Sequence, residues 1–187
     1  MRFIGDIHGK ISDYLKIINE CDNSIQVGDF GYGFVDIPEI SINHRFIRGN
    51  HDNPELCAKS PNWIADGTFE DDILYIGGAL SVDRYMRTDG VDWWHDEELT
   101  IKEVDNIIDL AILNQPKIIV SHDCPSRVIN EFKLKNNEPS RTNQAFNALF
   151  FHVKPELWIF GHHHRNFRQN IDGTEFICLP ELGFIDI

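Results

Sequence analysis

The stretch Phe3-Ile4-Gly5-Asp6-Ile7-His8 decides the fold. A short apolar run breaks at a glycine into an Asp-x-His pair, and four later runs end in the same way. They are Ile25-Gln26-Val27 before Gly28-Asp29, Phe46-Ile47 before Gly49-Asn50-His51-Asp52, Ile118-Ile119-Val120 before Ser121-His122, and Leu157-Trp158-Ile159-Phe160 before Gly161-His162-His163-His164. Each run has the length of a buried strand, and each cluster sits where a strand passes into a loop. In open α/β sheets, ligands bind beyond the carboxyl ends of strands, so five such ends can meet at one point. What meets there is imidazole, carboxylate and amide oxygen without a thiolate, a donor set suited to borderline divalent ions such as Mn, Fe, Zn or Ni. Asp6 and His8 stand two residues apart, so in extended chain both side chains leave one face and can clasp one ion, and His162 and His164 repeat that spacing after Gly161, which frees the backbone to turn. Asp29, at a glycine-lined turn, offers two oxygens able to bridge two cations.

Outward from these clusters the chain alternates strands and helices. Ser12 is read as the N-cap of a helix carrying Tyr14, Leu15, Ile17 and Ile18, which returns into the Ile25–Val27 strand as a β-α-β unit. A strand over Ile73–Ile76 stops at Gly77-Gly78 and is followed by an irregular polar and aromatic loop from Ser81 to Trp94. Thr100-Ile101-Lys102-Glu103 is a capping box, and apolar residues keep helical spacing from Ile101 to about Asn114. A further helix is expected near Thr142–Phe151. Asp172-Gly173 between Asn166–Ile171 and Thr174–Leu179 is a hairpin signal. The pattern predicts mixed sheets covered by helices on both outer sides, in one domain spanning 1–187.

The chain has 187 residues, enough to bury a core without disulfides, and no CxxC pair among its cysteines at 21, 57, 124 and 178. The cysteines are read as free thiols in a reducing compartment. The amino-terminal residues carry no signal-peptide pattern, and no apolar run reaches membrane-spanning length, so a cytoplasmic location without membrane attachment is expected. Seventeen Lys and Arg against 30 Asp and Glu leave a formal charge of −13, which argues against stable binding to nucleic acid through its phosphates. An anionic substrate must then be attracted locally, by cations or a few arginines.

Taken in order, Asp6-x-His8, Gly28-Asp29, Gly49-Asn50-His51-Asp52, His122 and Gly161-His162-x-His164 resemble the calcineurin-like metallophosphoesterase superfamily over nearly the whole chain. The resemblance implies a mixed α/β fold, a four-layer αββα sandwich of two mixed β-sheets flanked by helices. It also implies two divalent ions: one held by Asp6, His8, Asp29 and His164, the other by Asp29, Asn50, His122 and His162. Manganese is the expected metal, with Fe, Zn, Ni or Mg as alternatives. Two ions about 3.5–4 Å apart would lower the pKa of the water between them, so that hydroxide attacks phosphorus in line with the leaving oxygen. By the same resemblance His51 faces substrate, protonating the leaving alkoxide or stabilising phosphoryl charge. Asp52 either hydrogen-bonds His51 and raises its pKa or caps a helix beside Asn53-Pro54.

Arg48 and Arg84 are candidates for binding the substrate phosphate. Alternation turns His163 away from the ions, while His44, His95 and His152 lie outside any motif. The segment from Gly77 to Trp94 looks like a loop of small phage and bacterial metallophosphatases. Its Arg84 or Arg87 can bind phosphate and its Tyr85 or tryptophans can stack on a base, although Trp93 and Trp94 read better as core anchors. Where protein Ser/Thr phosphatases of this superfamily continue with Asp-Arg-Gly, Asp29 is followed by Phe30-Gly31, without the clamping arginine. A small phosphomonoester or phosphodiester, a nucleotide among the options, is therefore favoured over a phosphoprotein. A non-catalytic binding module on the same fold is the remaining alternative. The oligomeric state is not fixed by the sequence.

Overall fold

The computed structural model describes residues 1–134 and 140–187. The first sheet takes β1 (Arg2–Ile4), β2 (Ser24–Gln26) and β3 (His44–Phe46) in parallel, with β10 (Phe184–Asp186) antiparallel on the outside of β1. The second runs in the order β4 (Thr68–Glu70), β5 (Ile73–Ile76), β6 (Ile118–Ser121), β7 (Leu157–Phe160), β9 (Thr174–Cys178) and β8 (Phe167–Ile171). Its four central strands are parallel, and its two edges, β4 and β8, are antiparallel. Helices α1 (Ile11–Ile18), α2 (Pro54–Lys59), α3 (Ile101–Asn114), α4 (Ser126–Phe132) and α5 (Arg141–His152) complete the described chain.

Side-chain alternation builds the layers. Phe3, Ile25, Tyr75, Val120, Ile159 and Ile177 point from both sheets into one shared apolar layer. Their neighbours point the other way. Leu74, Ile76, Ile119, Trp158, Phe160 and Phe176 pack under Ile107 and Ala111 of α3, Val128 and Ile129 of α4 and Phe146, Leu149 and Phe150 of α5. Ile4 and Phe46 pack under Tyr14 and Ile18 of α1 and Cys57 of α2. The result is the expected helix, sheet, sheet, helix sandwich, with strands that are apolar on both faces because both faces are covered.

Two local expectations are corrected. Helix α1 starts at Ile11 after Lys10 without a side-chain cap, so Ser12 lies inside it. The start is set by the preceding turn, where the Lys10 N–H donates to the Ile7 carbonyl and His8 and Gly9 both have positive φ. At α2 the cap is Asn53, which accepts the Leu56 N–H at 3.0 Å ahead of Pro54, and Asp52 is free for another task. The Thr100–Glu103 capping box and the hairpin at Asp172-Gly173 form as the sequence reads. No described helix is long and apolar enough to cross a membrane, and the four cysteines are free thiols.

Candidate metal centre

The strand ends converge. Beyond β1, Asp6 is fully buried; its Oδ2 lies 2.9 Å from His164 Nε2 and 3.8 Å from His8 Nε2, and the two ring nitrogens are themselves 2.9 Å apart. Beyond β2, Asp29 reaches both ways. Its Oδ2 is 3.9 Å from His8 Nε2, and its Oδ1 is 3.4 Å from His122 Nε2. His122 Nε2 also stands 3.1 Å from Asn50 Oδ1, and the His162 ring lies edge-on to the His122 ring at 5.1 Å. The predicted donors thus form two groups, Asp6 with His8 and His164, and Asp29 with His122 and His162, and a third cluster, Asp123 with Cys124 and His163, lies beside them. Donors bound to one cation at about 2.0–2.2 Å stand about 3 Å or a little more from each other, so these separations suit divalent ions.

Three glycines make this density possible. A Cβ on Gly161 would collide with the Asp6 carboxylate, one on Gly49 with the Asp29 carboxylate, and one on Gly28 with the His122 ring. Four of the donor residues themselves hold left-handed backbone, with φ of 44° at His8, 58° at Asp29, 60° at His162 and 51° at His164. Non-glycine residues in that region persist where their surroundings over-determine them, typically at functional sites.

The ligand atoms are oriented from behind. His122 donates Nδ1–H to the Val27 carbonyl at 2.8 Å, which leaves Nε2 facing Asp29 and Asn50. Asn50 donates its amide to Ser81 Oγ at 2.9 Å, turning its oxygen inward, and the Ser81 hydroxyl in turn donates to the buried Glu97. Gln26, buried under the β2 end, donates to the Gly5 carbonyl and accepts the Gly28 N–H. No pattern singles out Ser81 or Glu97 as donors, and their bonds to Asn50 and to each other span 31 and 16 residues; only the Gly77-Gly78 break ahead of Ser81 hints at them.

Charge follows from burial and pairing. Burial opposes ionisation of Asp29, yet the adjacent His122 ring holds its carboxyl well below the usual carboxylate range. Burial likewise disfavours a charged His122, but Asp29 outweighs it and raises that ring to about 10. Burial lowers His162 to about 4, leaving a neutral imidazole with a lone pair. A cation held by these residues would compete with the proton that Asp29 favours on His122.

The remaining sequence candidates part company. His51 lines the cleft with Asp29, Asn50 and His162, its N–H donates to Asp29 Oδ1 at 2.8 Å, and burial lowers its ring pKa. Asp52 is buried and bonds four backbone N–H groups, those of Phe30, Gly31, Tyr32 and Gly49 at 2.7–3.0 Å. Its carboxylate therefore ties the Asp29 turn to the Gly49-Asn50 loop rather than bonding the His51 ring. Burial, and then the charge of Asp29, raise its pKa against those N–H groups. Arg48 turns away from the cleft, paired with Asp66 at 2.7 Å and donating to the Asp96 and Glu97 carbonyls. Arg84 lies over the Tyr85 ring and donates to the Ser81 carbonyl, and Arg87 pairs with Asp83. Trp94 is buried edge-on to Phe34, anchoring the 81–94 loop, and Trp93 is half-buried. His163 directs Nε2 to Asp123 at 3.0 Å. His44 bonds Ser24, and His95 and His152 are exposed. The cleft has a volume of about 340 Å³ and is rimmed by Val82, Asp83, Leu134 and Arg165.

Two packed mixed sheets with nitrogen and oxygen donors converging at their strand ends define a metallohydrolase. The chain belongs to the calcineurin-like phosphoesterase family, which matches residues 2–166, and with the family comes the class of enzyme, a metal-dependent phosphoric ester hydrolase. Among solved structures it is similar to the protein TT1561 of Thermus thermophilus, with a TM-score of 0.55 and 11% identity over 97% of this chain and 89% of that one. It is also similar to a protein from Staphylococcus aureus assigned as a 5'-nucleotidase and solved with alpha-ketoglutarate. That likeness has a TM-score of 0.50 and 11% identity over 97% of this chain, which spans 48% of the other. At such identity the likeness is one of fold. No curated protein sequence matches the chain.

Proposed function

We propose that the chain hydrolyses a small phosphomonoester or phosphodiester, a nucleotide among them, at a centre of two divalent ions, with manganese the expected metal. The observation that carries this reading is Asp29, whose two oxygens face different donor groups, His8 on one side and His122 on the other. In this reading Asp6, His8, Asp29 and His164 hold one ion and Asp29, Asn50, His122 and His162 the other. Bound there, the ions supply Lewis acidity and lower the pKa of water lying between them.

The protein's own groups do the rest. His122 and Asn50 arrive pre-oriented by Val27 and Ser81, so little conformational freedom is lost on binding. His51, fixed through its backbone to the carboxylate between the two donor groups, presents its ring along the cleft wall to the leaving oxygen and the phosphoryl oxygens. A cleft of about 340 Å³, with Phe30-Gly31 rather than Arg-Gly after Asp29, suits a compact ester better than a folded phosphoprotein. Purified protein loaded with Mn²⁺ is assayed on p-nitrophenyl phosphate and bis-p-nitrophenyl phosphate. Turnover that disappears with chelator and returns with metal is expected; no turnover of either ester with Mn, Fe, Zn, Ni or Mg overturns the reading.

A further inference from the structure

The three consecutive histidines beyond β7 do two different jobs. His162 and His164 belong to the donor groups, and both hold left-handed backbone, at φ of 60° and 51°. Two such residues flanking a third make a strained turn. What holds the turn in place is therefore a functional question. The described bonds of His162 N–H and of the His164 ring run to Asp6 and His8, which are themselves donors whose lone pairs a cation would claim.

The side-chain tether that leaves the donor set is His163. Its Nε2 lies 3.0 Å from Oδ1 of Asp123, a buried carboxylate next to His122. Asp123 is pinned in turn: its Oδ1 accepts the Cys124 N–H at 2.7 Å and its Oδ2 accepts the Asn143 amide at 2.6 Å. Asn143 also donates to the Cys124 carbonyl at 2.7 Å and sits, buried, in the first turn of α5. A continuous path thus joins a covering helix, through Asn143, Asp123 and His163, to the peptide between the two histidine donors.

We infer that Asp123 and His163 form a positioning pair, which holds His162 and His164 at the spacing that both ions require and so sets the metal affinity of the centre. The inference rests on the two-ion reading above. Neither side chain touches an ion or substrate in this role; both act through the backbone of the turn. Outer groups that orient metal-binding histidines affect affinity about 10- to 100-fold, which is the effect expected here.

The test uses the full chain stripped of metal and titrated with Mn²⁺ by calorimetry, for wild type, Asp123→Asn and His163→Gln. Both variants are expected to weaken Mn²⁺ binding about 10- to 100-fold while kcat at saturating Mn²⁺ stays close to wild type, so the loss appears as a shifted metal requirement. The electron paramagnetic resonance of the Mn-loaded pair should change with it, since a displaced donor alters the coupling of the two ions. Unchanged Mn²⁺ affinity in both variants, with or without a fall in Tm, overturns the inference and leaves the pair a stabilising contact. If Asp123→Asn does not fold, His163→Gln, which removes a ring at the cleft edge and leaves the Asp123 to Asn143 contact in place, decides alone. Failure of the wild type to bind two Mn²⁺ overturns the two-ion reading instead.

Discussion

The two walls of the cleft are built on opposite plans. On one side the ends of β1, β2, β6 and β7 press Asp6, Asp29 and His122 into full burial, each oriented by bonds from elsewhere in the fold, such as Val27 to His122 and the turn around His51 to Asp29. On the other, the 81–94 loop is anchored at its two ends, Ser81 to Asn50 and Trp94 against Phe34, while its middle is held by neighbours, Arg87 on Asp83 and Arg84 on Tyr85, and its short turn leaves Tyr85 at 75% and Met86 at 84% exposure. Bonds across long stretches of chain fix a geometry; bonds between neighbours leave it adaptable. The difference separates a wall of fixed donors from one that meets the cleft through Val82 and Asp83 alone among its residues.

The comparison breaks most directly at Asp29→Asn. Loss of the charge facing both donor groups should remove one or both ions and lower kcat/KM by more than the about 10²- to 10⁴-fold that a proton-transfer residue supplies; metal analysis and ester hydrolysis read it together. His51→Ala should fall within that range of about 10²- to 10⁴-fold in kcat while two ions remain bound. Retention of wild-type turnover would remove His51 from the chemistry. Asp52→Ala strands four backbone N–H groups at the base of the rigid wall and should cost on the order of 3 kcal/mol, measured by urea unfolding of the metal-free chain.

Protons give a milder test of the same wall. In the metal-free chain His122, at about 10, binds a proton more tightly folded than unfolded, so its contribution is full below about 6.5 and fades as pH rises towards 10. His162, at about 4, behaves oppositely: the unfolded chain takes up its proton first, and stability falls as pH drops from about 6.5 to 4. Tm of the metal-free protein should therefore peak near neutrality, and Mn²⁺ affinity should climb with pH as His122 gives up its proton. An affinity independent of pH between 6.5 and 9 would contradict the assignment. Smallest is Tyr85→Ala on the adaptable wall, with a stability change within about 0.5 kcal/mol. If the ring meets a base, KM for a nucleotide rises while KM for p-nitrophenyl phosphate stays put.

The sequence revealed the rigid wall far better than its supports. Strand ends such as Val27-Gly28-Asp29 and Phe160-Gly161-His162 carry a short buried run and donor chemistry within a few residues, so local pattern suffices. The supports are pairs that only folding brings together: Asn50 with Ser81, Ser81 with Glu97, Asp123 with Asn143. Arg48 was open to a phosphate role because its partner Asp66 reaches it only after β3 and the following loops are placed. The edge strands β4 and β10 are three residues long and partly exposed, too short and too mixed for periodicity to register.

The crowding at Gly28, Gly49 and Gly161 has a practical corollary. A single added methyl group at any of them would displace a donor side chain without replacing any titratable residue. Gly161→Ala is thus a charge-neutral off-switch, and a bait for capturing physiological partners with hydrolysis silenced.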